Sequence, residues 1–200
     1  MAGLFTLQSD IDPLVYGSEN SRKAYAALQN LLKDEHSHFK AYTKTELQAL
    51  FDFRSKDTIM SFKDFARVEQ GKAFQGKYAG TEYFIRFVKD WNEIDEEYGD
   101  VCYKNSGYVK IAATVADDSE ALFTPCAYQL NDATILDGPK LKPITEIASF
   151  RGRFCLQAKI GEHISAQGKV ERVTNKRKGS AHYRVIIGNQ PADYMALSQA

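Results

Sequence analysis

The sequence lacks several features that mark common classes of protein. No apolar run approaches the roughly 20 residues that a membrane-spanning helix needs, so no membrane association is expected. The first twelve residues hold two carboxylates and no basic residue, which is not the pattern of a secretory signal. The three cysteines, Cys102, Cys126 and Cys155, form no Cys-x-x-Cys pair. Neither a disulfide framework nor a thiolate zinc site is expected, and a cytoplasmic location fits best.

The composition that is present predicts a folded chain with two unlike halves. A hydrophobic content of 44% is enough to bury a core, and 200 residues suit one large domain or two small ones. The zero net charge hides an asymmetry, because residues 1–100 hold 13 basic and 17 acidic residues and residues 101–200 hold 13 and 9. Within 150–186 there are nine basic and two acidic residues. Opposite charge in the two halves suggests different roles.

The first half predicts short strands around helices. Residues 9–17 predict a strand that lies at a sheet edge or begins after Pro13, because proline cannot donate to a ladder. The aromatic and β-branched run at 81–88 predicts another strand. Helices are predicted over 20–33 with Ser18 or Asn20 as the cap, from the capping box Thr43–Glu46, and from Ser61 to Gly71.

The second half predicts mostly strands. Five or six short strands at this spacing indicate a small antiparallel barrel or a sandwich, and short helices are expected at 119–122 and 192–197. The acidic stretch 90–100 predicts a junction, which gives an α+β chain with domains at 1–98 and 99–200. The strands are predicted at 108–115, 127–130, 144–150, 163–173 and 182–187.

The segment Asp10-Ile11-Asp12 carries the most chemical information. On a strand, residues i and i+2 point to the same face, so the two carboxylates lie about 6–7 Å apart at their Cα atoms. Like charges that close repel each other unless a cation relieves them. Mg²⁺ does so, because it binds one or two carboxylates together with substrate phosphates. The spacing alone also fits a pair of solvated acids at the start of a strand.

The surroundings of this segment resemble a known family. Ser9–Asp12, the Val15-Tyr16-Gly17 turn and the following helix resemble the polymerase-β-like nucleotidyltransferases, and most closely their archaeal nucleotidyltransferase-domain members. Asp90-Trp91, Tyr98–Asp100 and Ala166–Glu171 follow in the same order as in that group. The resemblance runs along nearly the whole chain and depends on the order of the motifs more than on any one of them.

The resemblance implies a site and an activity. Asp10 and Asp12 would hold Mg²⁺, and Glu82 would supply a third catalytic carboxylate, with Asp90 as the fallback. The reaction would transfer a nucleotidyl group from a nucleoside triphosphate to an acceptor. The family has a Gly-Ser turn about ten residues before the first aspartate, which cradles phosphates with backbone N–H groups. No Gly-Ser pair precedes Asp10. The catalytic domain is therefore expected to be incomplete at its N-terminus, with weak or no activity in this chain alone.

The basic second half offers a different prediction. Lys176, Arg177 and Lys178 lie in a polar turn, in a stretch that also holds Phe150 and Tyr183. Small barrels bind RNA or DNA with basic grooves and aromatic platforms, although a solvated hairpin tip fits the turn equally well. The chain could thus be a non-catalytic nucleic-acid- or partner-binding module, or a structural subunit completed by another chain. An exposed sheet edge would favour a homo-oligomer.

Overall fold

A computed structural model describes residues 9–54 and 59–198 of the chain. It is a mixed α+β structure in which three α-helices precede a large, mostly antiparallel sheet, so the predicted α+β class is confirmed. The elements before Asp100 are β1 (Leu14–Tyr16), α1 (Ser18–Leu31), β2 (Phe39–Lys40), α2 (Lys44–Arg54), α3 (Phe62–Gln70), β3 (Gln75–Tyr78), β4 (Thr81–Phe84) and β5 (Arg86–Val88).

Helix α1 is capped in a way that local rules do not predict. Its N-cap is Gly17, at a φ of 89°, and not Ser18 or Asn20. Glycine adopts this left-handed conformation without steric cost. The Ser18 N–H donates to the Glu93 carboxylate at 2.9 Å. The predicted cap is wrong because the capping oxygen comes from a residue 75 positions away in the chain.

Helices α2 and α3 begin as predicted. The Glu46 N–H donates to Thr43 Oγ1 at 3.3 Å, and the Thr43 N–H donates to Glu46 Oε2 at 2.8 Å, which completes the capping box. Ser61 caps α3 by accepting from the backbone N–H of Asp64 at 3.1 Å, and Gly71 ends it. Both caps are read correctly because their partners lie within one helical turn.

The short strands form two small sheets. Strands β2, β3 and β4 are antiparallel in that order, and β1 pairs with β5 in parallel. Strand β1 begins after Pro13 and lies at a sheet edge, as predicted. The predicted strand at 81–88 is divided at Ile85, whose N–H donates to the Phe74 carbonyl at 2.8 Å.

The second half forms a closed barrel. Strand β6 pairs with β7, β7 with β8, β8 with β10, β10 with β9, and β9 with β6, so five strands close into a ring. Strand β11 pairs with Ile164–Gln167 of β9, beyond the end of β10 and on the same edge. The strands are β6 (Val101–Asp117), β7 (Cys126–Asp137), β8 (Ile144–Ser149), β9 (His163–Asn175), β10 (Ser180–Ile186) and β11 (Tyr194–Leu197).

Four details of the second half differ from the prediction. The barrel is not wholly antiparallel, because β8 and β10 run parallel. Residues 194–197 form strand β11 rather than a helix, because they pair with Ile164–Gln167 of β9. Residues 119–122 form turns and bends rather than a helix. Strand β6 is much longer than expected because it continues through an irregularity between Asn105 and Tyr108, where the sequence resembles a turn.

The hydrophobic core is continuous across position 98. Leu28, Phe74 and Phe87 belong to the same buried cluster as Ile111 and Phe123. The Thr124 N–H also donates to the Phe87 carbonyl at 2.8 Å. The division into domains at 1–98 and 99–200 stays a prediction. Among the described residues, no helix is long and apolar enough to cross a membrane.

Candidate functional site

The predicted carboxylates lie on two neighbouring parallel segments. The Ile11 N–H donates to the Glu82 carbonyl, and the Phe84 N–H donates to the Ile11 carbonyl, both at 2.9 Å. Ile11 therefore lies opposite Tyr83, and the same register continues without a slip to Tyr16 opposite Val88.

This register places the three predicted carboxylates on one face. Asp10 and Asp12 flank Ile11, and Glu82 flanks Tyr83, whose side chain is only 2% exposed. Because side chains alternate along a strand, all three acids point away from the face that buries Tyr83. Neighbouring strands lie about 4.8 Å apart, so Glu82 is the direct lateral neighbour of Asp10. All three residues are exposed. We call Asp10, Asp12 and Glu82 the carboxylate face.

The carboxylate face offers ligands that Mg²⁺ prefers, but not a complete set. Within residues 9–54 and 59–198, no three His, Cys, Asp or Glu side chains are grouped closely enough to hold a metal ion. Asp10 and Asp12 fit an ion that takes one or two carboxylates and completes its octahedron with water and substrate phosphates. They do not form an all-protein cage.

The pKa of the Tyr42 hydroxyl is influenced by the charges of the carboxylate face, which sequence reasoning missed. Burial raises the pKa of its hydroxyl to about 12, and the negative charges of Glu82 and Asp10 add to that rise. Tyr42 directly precedes the capping box that starts α2, so α2 fixes its position. A tyrosine with so high a pKa stays protonated and can donate a hydrogen bond to a bound oxygen. No local signal marks it, because its neighbours come from distant segments.

A buried charged network lies between α3 and the barrel, and it was also missed. Lys72 Nζ donates to Glu69 Oε1 at 2.6 Å and to the Arg153 carbonyl at 2.7 Å. Burial disfavours ionisation of Glu69, but the Lys72 and Arg54 charges outweigh it and hold the Glu69 pKa below its usual value. We call the described residues before Asp100, which hold α1 to α3 and β1 to β5, the helical part. The network therefore joins the helical part to the barrel.

The basic turn between β9 and β10 is partly neutralised. Arg177 pairs with Asp95 at 2.8 Å and lies 3.6 Å from Asp100. The Lys176 N–H donates to the Asp100 carbonyl at 2.8 Å, so the acidic junction is tied to this turn. The side chains of Lys176 and Lys178 remain exposed. Of the three predicted nucleic-acid-binding residues, Lys176 and Lys178 thus present their charge to solvent. The charge of Arg177 is offset by its ion pair with Asp95.

The barrel strands also hold balanced charges. Arg184 pairs with Glu171 at 3.0 Å, and Lys169 pairs with the same carboxylate. The Arg184 guanidinium carbon lies 4.0 Å from the centroid of the Tyr103 ring. The excess of basic residues within 150–186 therefore does not form one continuous basic face.

Comparison with known proteins gives one relative and no function. No family model and no solved structure matches the chain. It is similar to an uncharacterized protein of the archaeon Methanocaldococcus jannaschii, with 32% identity over 180 residues. The match covers 90% of this chain and 50% of that protein, so the chain spans about half the length of the curated relative it matches. The chain thus has an archaeal relative.

Proposed function

We propose that this chain carries the metal-holding face of a polymerase-β-like nucleotidyltransferase that uses a nucleoside triphosphate. The observation that supports this is the unbroken parallel register from Ile11 to Tyr16, which puts Asp10, Asp12 and Glu82 on one exposed face. Two carboxylates at i and i+2 with a third on the adjacent strand form the arrangement that the sequence resemblance implies.

Each residue of the carboxylate face has a role in this proposal. Asp10 and Asp12 would hold Mg²⁺, which neutralises the charge of a bound triphosphate. Glu82, beside Asp10, would accept the proton of an acceptor hydroxyl as its oxygen bonds to the α-phosphorus and the bond to the leaving pyrophosphate breaks. Tyr42 would donate a hydrogen bond into the same region.

Label transfer tests the proposal. The full chain is incubated with Mg²⁺, α-labelled nucleoside triphosphates and separate acceptors: RNA, DNA and the protein itself. We expect Asp10→Asn and Asp12→Asn to lower transfer about a hundredfold or more, since preorganised charge at a reacting centre contributes that much. Asp137→Asn, an exposed carboxylate at the end of β7, is the matched control and should leave transfer unchanged. Equal transfer by the wild type and both Asn variants of the pair would rule the proposal out.

A second candidate is a nucleic-acid-binding module. The barrel order β6-β7-β8-β10-β9, with one parallel pair, is the strand order of the OB-fold, whose face and loops bind oligonucleotides. The turn with Lys176 and Lys178 is the loop between the fourth and fifth strands of such a barrel. Binding of single-stranded RNA or DNA without label transfer, weakened when Lys176, Arg177 and Lys178 become Ala, would favour this candidate over the enzyme.

A further inference from the structure

Two exposed aromatic side chains border one cavity on the surface of the barrel. Tyr103 on β6 is 50% exposed, and Phe150, directly after β8, is 56% exposed. Single exposed apolar side chains are common on proteins, but neighbouring ones that share a cavity favour a contact surface. The cavity has a volume of about 450 Å³, and its other lining residues are Pro125, Lys169, Glu171, Arg184, Ile186 and Asn189.

This cavity lies on the outer face of the barrel. Glu171 of β9 and Arg184 of β10 lie opposite each other in the antiparallel register. They alternate with Val170 and Val185, whose side chains are completely buried, so Glu171 and Arg184 point outward. The face belongs to the first, fourth and fifth strands of the ring in chain order. An OB-fold, in contrast, binds oligonucleotides on the face of its second and third strands.

The Tyr103 ring is held in place from one side. The Arg184 guanidinium carbon lies 4.0 Å from the centroid of the ring, a close cation–π contact. The guanidinium is itself fixed, because its Nε and Nη2 donate to Glu171 Oε2 at 3.1 and 3.0 Å. Arg184 thus covers one face of the ring while half of Tyr103 stays exposed. A ring that is already held loses little conformational freedom when a ligand stacks on it.

The charges around the aromatic cavity are balanced. Lys169 and Arg184 both pair with Glu171, which lines the same cavity. The cavity therefore has little net charge with which to attract a phosphate. Its exposed aromatic rings suit a neutral planar group instead, and a nucleobase offers such a group because every base has a π-face.

A second cavity continues from Tyr103 toward the basic turn. It has a volume of about 330 Å³, and Tyr103 and Arg184 line it as well, so the two cavities are adjacent. Lys178 lines its far part, in the turn where the side chains of Lys176 and Lys178 are exposed. We call the two cavities together the barrel groove. Its remaining lining residues are Glu96, Val101, Glu146, Val173, Asn175, Ser180 and His182.

We propose that the barrel groove binds a single-stranded nucleic acid, with bases stacked on Tyr103 and Phe150 and the backbone directed toward Lys178. Aromatic rings beside a cationic path are the combination that binds single strands without sequence preference. The inference rests on the nucleic-acid-binding candidate and is independent of nucleotidyl transfer. It adds the residues that contact the bases, which the lysines of the turn do not supply.

Fluorescence anisotropy with labelled strands tests the groove. The full chain is titrated in excess EDTA into single-stranded RNA, single-stranded DNA and an abasic DNA strand, all of equal length. We expect the abasic strand to bind at least tenfold more weakly, because it keeps the phosphates and loses the stacking. Tyr103→Ala and Phe150→Ala should each weaken binding of the intact strands about five- to a hundredfold. Tyr103→Phe keeps the π-face and should bind within about twofold of wild type.

Salt dependence separates stacking from charge. Tyr103→Ala should lower affinity by the same factor at low and high salt, because no phosphate contact is lost. Replacing Lys176 and Lys178 with Ala should instead flatten the dependence of affinity on salt. Phe53→Ala is the matched control, since it removes an aromatic side chain of α2 that is 84% exposed and lies outside the groove. It should leave binding within about twofold.

The outcomes distinguish the groove from the candidate function on which it rests. Loss of affinity in Tyr103→Ala with RNA, with DNA or with both supports the groove and identifies the strand. Binding that depends on the lysines but not on Tyr103 or Phe150 overturns the groove and leaves the candidate function standing. Equal binding of the abasic strand, or equal loss in Phe53→Ala and Phe150→Ala, also overturns the groove. Failure of every strand to bind refutes both.

Discussion

The helical part and the barrel differ in how their strands are held. Strands β1 to β5 have two to four residues each, and β1 has one hydrogen-bonded neighbour among the described strands. Barrel strands reach 17 residues, and each of the five ring strands has at least two neighbours. Ring residues such as Ile111 and Val185 have no exposed surface, whereas Asp10 and Asp12 are exposed.

The two parts therefore differ in what we expect them to contribute: the barrel contributes stability, and the carboxylate face contributes the proposed chemistry. The barrel buries apolar side chains in a closed ring and supplies a rigid support. The carboxylate face lies on β4 and on the segment that precedes β1, and its side chains are exposed, so substitutions there alter charge more than packing. The two parts meet through Lys72 and Gly152, and both residues contact groups from the opposite part. Changes at this contact should therefore affect stability most, and changes within the helical part should affect it least.

Lys72 should give the largest effect. Its side chain is fully buried and bonds Glu69, the Arg153 carbonyl and Gln157. Lys72→Met leaves the Glu69 carboxylate buried without its principal cation. We expect the free energy of unfolding to fall by about 3–5 kcal/mol, the typical cost of breaking a buried ion pair by removing one partner. Urea denaturation followed by circular dichroism measures this loss.

Two further variants test whether the cost at Lys72 comes from burial. Lys23→Met removes an exposed lysine that pairs with Glu19 on α1, and it should change stability by less than about 0.5 kcal/mol. Combining Lys72→Met with Glu69→Leu removes both charges and should recover much of the lost stability. If Lys72→Met costs no more than Lys23→Met, the network does not hold the two parts together.

Gly152 should give the next largest effect. Gly152→Ala forces a methyl group against the Phe84 ring, where the nearest ring carbons would lie at 2.5 and 2.8 Å. We expect a loss of about 1–3 kcal/mol from overpacking. A double-mutant cycle with Phe84→Leu measures the coupling, because the smaller side chain relieves the clash and makes the Ala substitution less costly. Additive effects of the two substitutions would show that the barrel does not rest on this ring.

The sequence predicted those features whose partners lie nearby in the chain. The starts of α3 at Ser61 and of α2 at the Thr43–Glu46 box were recognised because each capping residue and its hydrogen-bond partner are three residues apart. Asp10 and Asp12 were grouped by strand alternation, and Glu82 was chosen on the strand that proved to lie beside them. A small barrel or a sandwich was predicted from the spacing of the strands; the structure has the barrel, and its parallel pair was not predicted.

The features that the sequence did not predict depend on tertiary contacts. The cap of α1 is completed by Glu93, and the Tyr42 hydroxyl lies near Glu82 only after folding. The pairing of Arg177 with Asp95 of the acidic junction could not be read from the sequence either, and the nucleic-acid-binding role of Arg177 stays a prediction. Residues 194–197 form a strand because β9 offers a free edge, and not because of their own propensity.

Substitution of Glu46, whose contacts lie within the helical part alone, should give the smallest loss in the free energy of unfolding. Hydrogen bonds from Lys77 and from Thr43 lower the pKa of its carboxyl to about 2, below the value of roughly 4.3 in an unfolded chain. The stabilisation is therefore present above about pH 4.5 and is lost as the pH falls toward 2.

Glu46→Gln should lower the free energy of unfolding by about 0.5–1 kcal/mol at pH 6, and the difference from wild type should shrink at pH 3. Urea denaturation at both pH values measures it, with Glu19→Gln as the exposed control on α1. A difference of the same size at pH 6 and pH 3 would show that the charge of Glu46 is not what stabilises the start of α2.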